Sequence, residues 1–134
     1  KYIFLGKKDY QQLILIKKFI SNKYKTRVIQ CKTIRDTKGL ALSSRNFLLS
    51  KNEKNAGSKI YKLLKKSKFH LKKVKNKTIL LKKIKNKIIE FGARKIDYLE
   101  LIDPETNSNI TKKTNNYNIF IAYYFRNIRL IDNI

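Results

Sequence analysis

The sequence predicts an α/β chain made of two unlike parts. Residues 1–49 read as a strand–helix–strand (βαβ) unit, and residues 50–134 as a small α+β unit of two helices and a three-stranded antiparallel sheet. Three observations carry this expectation. Strand-like segments at residues 2–5 and 27–33 flank a run of helical periodicity, which is the pattern of parallel strands joined by a crossover helix. Ser50 and Glu53 have the spacing of a capping box and open a long lysine-rich stretch, also of helical periodicity. After Gly92 the period returns to two, and short turns separate successive strand candidates.

Each element has its own local reason. The apolar run Tyr2-Ile3-Phe4-Leu5 ends on Gly6. From Asp9 onward Leu13, Ile14, Ile16, Phe19 and Ile20 recur at helical spacing with Lys17 and Lys18 on the outer side, and Asp9 stands where a cap or first-turn acid is favoured. RVIQCKT, 27–33, alternates and is rich in strand formers. Asp36 to Gly39 form a polar turn, and a run of small residues with two serines follows. One helix is expected over 51–67, with Ile60, Leu63 and Leu64 inward. A second is expected over 77–92, with Leu80, Leu81, Ile84, Ile88 and Ile89 inward. Lys65, Lys66, Lys82, Lys83 and Lys85 form their solvated faces. KIDYLELID, 95–103, is a strand closed by Pro104; NIFIAYYF, 118–125, and IRLI, 128–131, are two more, joined by an Arg126-Asn127 turn.

Composition narrows the function classes. At 42% hydrophobic, 134 residues can bury a core, so the charge does not mark a disordered tail. No apolar run approaches the roughly 20 residues of a membrane span, and there is no signal-peptide pattern, so no membrane partner is expected. The chain starts at Lys1 inside a strand-like segment and reads as the later portion of something longer. A single cysteine, Cys31, excludes an internal disulfide framework and a cysteine zinc site, and its alternating context suits a buried structural thiol. His70, the only histidine, is expected in a lysine-rich connection with no acidic or cysteine cluster around it, which argues against a metal or triad role. The net charge of +24 rests on 27 Lys against 6 Arg, alongside 19 Ile and 13 Asn. Lys, Ile and Asn share A/T-rich codons, whereas nucleic-acid recognition leans on Arg, so genomic drift explains the charge better and nucleic acid is not the expected partner.

Two polar clusters each follow an apolar segment and precede a helix. The first is Gly6-Lys7-Lys8-Asp9 with Gln12. Ligands of open α/β sheets sit beyond the carboxyl ends of the strands. There a glycine permits close approach, a lysine neutralises phosphate or carboxylate, an aspartate accepts from ribose hydroxyls, and a glutamine both donates and accepts. The second is Leu42-Ser43-Ser44-Arg45-Asn46, whose hydroxyls, backbone N–H groups and guanidinium suit a triphosphate. Taken singly, each is better read as an ordinary turn before a helix.

Together they resemble a known family. FLGKKDYQQL, followed about thirty residues later by IRDTKGLALSSRNFLLS, is similar to the hallmark segments of the pantoate–β-alanine ligases (pantothenate synthetases). DYLELIDPET, 97–106, and IRLIDN, 128–133, resemble the family's closing strands, so the likeness runs through nearly the whole chain in order. The resemblance implies the last βαβ part of a Rossmann-like domain of the nucleotidylyltransferase superfamily, followed by the small C-terminal domain. It implies an ATP-dependent ligase that joins pantoate to β-alanine through a pantoyl-adenylate, with magnesium accompanying the phosphates, in a cytoplasmic homodimer. By the same resemblance Gly6 and Asp9 hold the ribose, Lys8 meets phosphate and the pantoate carboxylate, and Gln12 hydrogen-bonds pantoate. The backbone near Ile34 reads the adenine edge. Leu42, Ser43, Ser44 and Arg45 form a mobile phosphate clamp, and Lys7 is counted with the ATP-binding loop.

The sequence departs from the pattern at Lys7 and Lys38, where the family has acidic residues, and the link after Asn22 is a residue short. The family's His-x-Gly-His motif does not occur in the chain. The expectation is therefore a C-terminal fragment that is inactive by itself. Two other readings stand beside it: a lysine-rich nucleic-acid module using 51–87, and a gene remnant without a biochemical role.

Overall fold

The computed structural model describes residues 1–71, 73–74, 76–104, 106–110, 114 and 116–134, with Ser21 and Asn22 described by backbone alone. Strand β1 (Tyr2–Gly6) runs into a single 3-10 turn, Lys7–Asp9, and then helix α1 (Tyr10–Lys23). Strand β2 (Arg27–Cys31) returns parallel to β1, with Tyr2 opposite Arg27 and Gly6 opposite Cys31. A second 3-10 turn, Ser44–Leu48, precedes helices α2 (Lys51–Leu71) and α3 (Lys77–Glu90). Strands β3 (Lys95–Asp103), β4 (Ser108–Asn109), β5 (Asn118–Phe125) and β6 (Ile128–Asn133) form an antiparallel sheet in the order β4-β3-β5-β6. Among the described residues the chain is thus α/β, with three helices and two sheets.

The expected three-stranded sheet gains a fourth strand. After Pro104 the chain turns back through Asn107, at φ 53°, and two residues pair with Ile102 and Asp103. So short a strand has no alternation to read. Helix α2 runs four residues past its expected end at 67, because Ser67 and Leu71 continue the buried stripe Ile60-Leu64. His70 therefore lies in the last turn of a helix, exposed, and not in a connection. Asp9 precedes α1 but makes no side-chain cap. Phe19 and Ile89, expected inward, are 57% and 46% exposed. The stripe of α1 is narrower than its apolar content, and Phe19 instead packs on Tyr24 beside Lys23. Cys31 is only half-buried.

Strand β5 is buried on both faces, which explains its nearly continuous apolar run. Ile119, Ile121, Tyr123 and Phe125 join the main core with Ile60 and Leu64 of α2 and Ile84 and Ile88 of α3. Phe120 points the other way, into a second cluster with Tyr10 and Leu13 of α1. A register shift between Ile96 and Tyr98 lets β3 serve both: Ile96, Leu99 and Leu101 face the main core, while Tyr98 and Ile102 face α1. Gly92, at φ 102°, ends α3 in the left-handed conformation, with its N–H bonded to the Ile89 carbonyl and that of Ala93 to Ile88.

Polar contacts tie the early segments to the last strand. Arg35 donates to both carboxylate oxygens of Asp132, at 2.6 and 2.8 Å, and its guanidinium lies 4.0 Å from the Tyr61 ring centroid. Asn133 Nδ2 donates to the carbonyls of Lys7 and Lys8. Tyr10 Oη donates to the Pro104 carbonyl at 2.8 Å. Leu40 and Leu49, which precede Ser50, belong to the main core. The capping box forms as its spacing predicts: the Ser50 N–H donates to Glu53 Oε2 at 2.7 Å, and the Glu53 N–H to Ser50 Oγ at 3.2 Å. Arg126, at φ 50° in the β5–β6 turn, closes over it, donating to both Glu53 oxygens and to the Leu48 carbonyl.

These contacts set two expected outcomes. Hydrogen bonds from Arg126, then from the Ser50 N–H, hold the Glu53 carboxyl at about 2, below its ordinary 4.5. A depressed folded-state value means stability that is whole above pH 4.5 and is lost as pH falls through about 2. Glu53→Gln is expected to cost about 1 kcal/mol in urea unfolding at pH 7, with the difference from wild type closing across that acid window. Arg35→Leu strands Asp132, whose side chain is 9% exposed. Urea unfolding should show a loss of about 3 kcal/mol; a loss under about 1 kcal/mol would mean the pair behaves as a surface ion pair.

Candidate functional site

The two polar clusters meet at one cleft of about 360 Å³. Lys8 and Asp9 enter it from the turn after β1, Ser43, Ser44 and Arg45 from the segment before α2, and Arg129 and Asp132 from β6. A smaller hollow of about 200 Å³ adjoins it and takes in Gln12, Tyr98 and Phe120. Lys8, Asp9, Arg129, Ile131 and Asp132 line both, so the two spaces share a wall.

Local geometry fixes each group. Lys8 Nζ donates to the Leu42 carbonyl at 3.1 Å, bridging the two clusters directly. The Leu42 N–H donates to the Ile34 carbonyl at 2.9 Å. The turn between them is held by Asp36, whose carboxylate accepts the N–H groups of Lys38 and Leu40. It requires Gly39 at φ 100°, where a Cβ would also run into the Tyr61 ring beneath Arg35. Ser43 Oγ accepts the Arg45 N–H at 3.2 Å, and Arg45 Nη1 donates to the Arg129 carbonyl at 3.2 Å. Asn46 Nδ2 donates to the Ala41 carbonyl, while its buried Oδ1 has no partner.

Of the residues singled out in the sequence, Lys8, Asp9, Ser43, Ser44 and Arg45 line the one cleft, with Gln12 in the adjoining hollow. Gly6, Lys7, Ile34 and Leu42 do not line either space. Gly6 ends β1 opposite Cys31 of β2, with open space where a side chain would be. Lys7 takes part through its carbonyl. Ile34 and Leu42 turn half or more of their side chains to solvent and use their backbones.

The residues supplied by β5 and β6 were not read as site residues from sequence. Arg129 donates from Nε to Asp97 Oδ2 at 3.0 Å. Asp132 is engaged by Arg35, and burial, then the charge of Asp132, pushes the Tyr123 phenol well above its ordinary range, so it stays neutral. The only signal for these residues was the closing segment IRLIDN, which resembles the family without pointing to a cleft. Chemically, Lys8, Arg45 and Arg129 outnumber Asp9 and the already paired Asp132, so the cleft suits an anion with several oxygens. Among the described residues no group of three or more His, Cys, Asp or Glu side chains could hold a metal ion.

The comparisons with known proteins agree throughout the chain. The family model for pantoate–β-alanine ligase matches residues 1–134. The pantothenate synthetase of Leptospira interrogans is 35% identical over 135 residues, covering 99% of this chain and 47% of its own length. That of Flavobacterium psychrophilum is 33% identical over 136 residues, covering 99% and 48%. Among solved structures, pantothenate synthetase from Thermus thermophilus superposes with a TM-score of 0.81 at 27% identity, over 99% of this chain and 49% of that one. Pantoate–β-alanine ligase from Francisella tularensis, complexed with β,γ-ATP and β-alanine, gives 0.72 at 34% identity, over 99% and 42%. The chain spans about half the length of the curated relatives it matches. With the whole chain matched in sequence and in fold, it belongs to the pantoate–β-alanine ligase family.

Proposed function

We propose that this chain carries the phosphate- and pantoate-facing part of an ATP-dependent pantoate–β-alanine ligase. The observation that carries the reading is the meeting of Lys8, Ser43, Ser44 and Arg45 at one cleft, with Gln12 in the hollow beside it. The Francisella relative complexed with a nucleotide and β-alanine supports ATP and β-alanine as ligands. Residues 1–49 are taken as the last part of a Rossmann-like nucleotide-binding domain and 50–134 as the small C-terminal domain, in a cytoplasmic homodimer.

In this reading a carboxylate oxygen of pantoate attacks the α-phosphorus of ATP. The bond to the β-phosphate oxygen breaks, and pyrophosphate leaves with the electron pair. The neutral amine of β-alanine then attacks the acyl carbon of the adenylate, loses a proton, and AMP departs. Lys8 balances charge on the phosphate and orients the pantoate carboxylate, while Gln12 hydrogen-bonds pantoate. Ser43, Ser44 and Arg45, with the Leu42 backbone, hold the phosphates; Gly6 and Asp9 hold the ribose, the Ile34 backbone reads adenine, and Lys7 borders the nucleotide. The chemistry is electrostatic, since cations and N–H donors aimed at the transferring phosphate act most strongly where water is excluded. Magnesium is the usual companion of such phosphates. Among the described residues no three acidic, histidine or cysteine side chains gather to hold it, so no residue is assigned to it and no step runs through it.

Titration of the 134-residue chain with ATP should show binding that Lys8→Ala and Arg45→Ala each weaken by about tenfold or more; affinity unchanged in both variants would overturn the reading. The family's histidine motif is missing from this chain, and its one histidine, His70, lies on α2 outside both spaces. Incubation with ATP, pantoate and β-alanine is therefore expected to yield no pantothenate from this chain alone, as followed by mass spectrometry.

A further inference from the structure

We propose that Asn133 is a positioning residue for Lys8; this rests on the reading of Lys8 as a phosphate-facing lysine. Asn133 is 4% exposed and lines neither the cleft nor the adjoining hollow. Its Nδ2 donates to the Lys7 carbonyl at 2.8 Å and to the Lys8 carbonyl at 2.9 Å. Those carbonyls belong to the peptide planes on either side of the Lys8 Cα. Fixing both planes fixes φ and ψ of Lys8, and with them the direction of its Cα–Cβ bond. The ammonium at the other end rests on the Leu42 carbonyl at 3.1 Å. Lys8 is thus gripped at its backbone by one strand and at its tip by the serine-bearing segment.

Asn133 is itself held. Its backbone N–H donates to Asp132 Oδ1 at 2.8 Å and its carbonyl accepts from Arg35 Nη2 at 3.3 Å. Side-chain chemistry restricts what could replace it. Aspartate has the shape but no donors, alanine has neither, and the two bonds require an –NH₂ group at this reach. Loss of the amide leaves two carbonyls in a part-buried turn without their donor and frees the Lys8 backbone to rotate.

The test combines ATP titration, thermal unfolding and lysine acylation on the full chain. Asn133→Ala is expected to weaken ATP binding about tenfold while the protein remains folded, and to have less than about a twofold further effect once Lys8→Ala is present. An equal loss in both backgrounds would mean general damage to the cleft and would overturn the proposal. Asn133→Asp, which preserves shape, should act in the same direction, and it serves if the alanine variant does not fold. A readout free of nucleotide is the rate at which Lys8 is acylated by acetic anhydride, resolved by peptide mass spectrometry against exposed Lys65. That rate should rise several-fold in either variant while Lys65 does not change. If wild type binds no ATP, the reading of the cleft falls and the acylation rates alone decide the positioning role; unchanged Lys8 acylation overturns it.

Discussion

A guanidinium and a carboxylate 97 residues apart decide how the first third of this chain lies on the rest. Arg35 follows β2, Asp132 stands near the end of β6, and their two short hydrogen bonds are part-buried, with the guanidinium over the Tyr61 ring. Every feature of the cleft is referred to that joint. The turn 36–41, pinned by Asp36 and Gly39, delivers Ser43, Ser44 and Arg45 from one side of it, and Asn133, the next residue along β6, grips the turn that presents Lys8 on the other. A pair this buried contributes little net stability over an apolar substitute, but it rejects other arrangements, because either charge left alone is costly. Its contribution is to geometry.

The second constraint is the two-sided burial of β5. One face completes the core under α2 and α3; the other receives α1 through Phe120 and Tyr10, whose ring centroids are 5.3 Å apart. The register shift at Asp97 lets β3 follow the same division, and the shifted residue accepts Arg129, which lines both spaces of the site. Packing and cleft are therefore parts of one design, in which β5 and β6 hold the βαβ-like segment against the helical layer. Many of the lysines that give the chain its charge lie on the outer faces of the helices instead. Lys65, Lys66, Lys82, Lys83 and Lys85 are exposed on α2 and α3, as their spacing predicts.

How far the sequence could be read followed the range of each signal. The capping box, the Gly92 stop and the strands 95–103 and 118–125 were legible because capping and alternation are local rules. The end of α2 was missed by four residues because no breaker stands there, and β4 was missed because two residues carry no period. Phe19 looked like core because its spacing is helical, yet only one side of α1 finds a partner. At the site, Lys8, Asp9, Gln12 and the serines were recognisable from motifs. Arg129, Asp132 and Asn133 were not, since nothing in a strand's own pattern says which distant loop it will meet.

By itself, then, the amino-acid sequence determined most of the helices and strands and the family resemblance. These depend on short-range periodicity, caps and contiguous motifs. Only the tertiary structure decided that Lys8 reaches the Leu42 carbonyl, that Arg35 meets Asp132, and that Asn133 holds the peptides flanking Lys8. Those contacts join residues 34 to 126 positions apart, beyond the reach of any local pattern. The geometry of the site is a consequence of packing, and packing is a property of the whole chain.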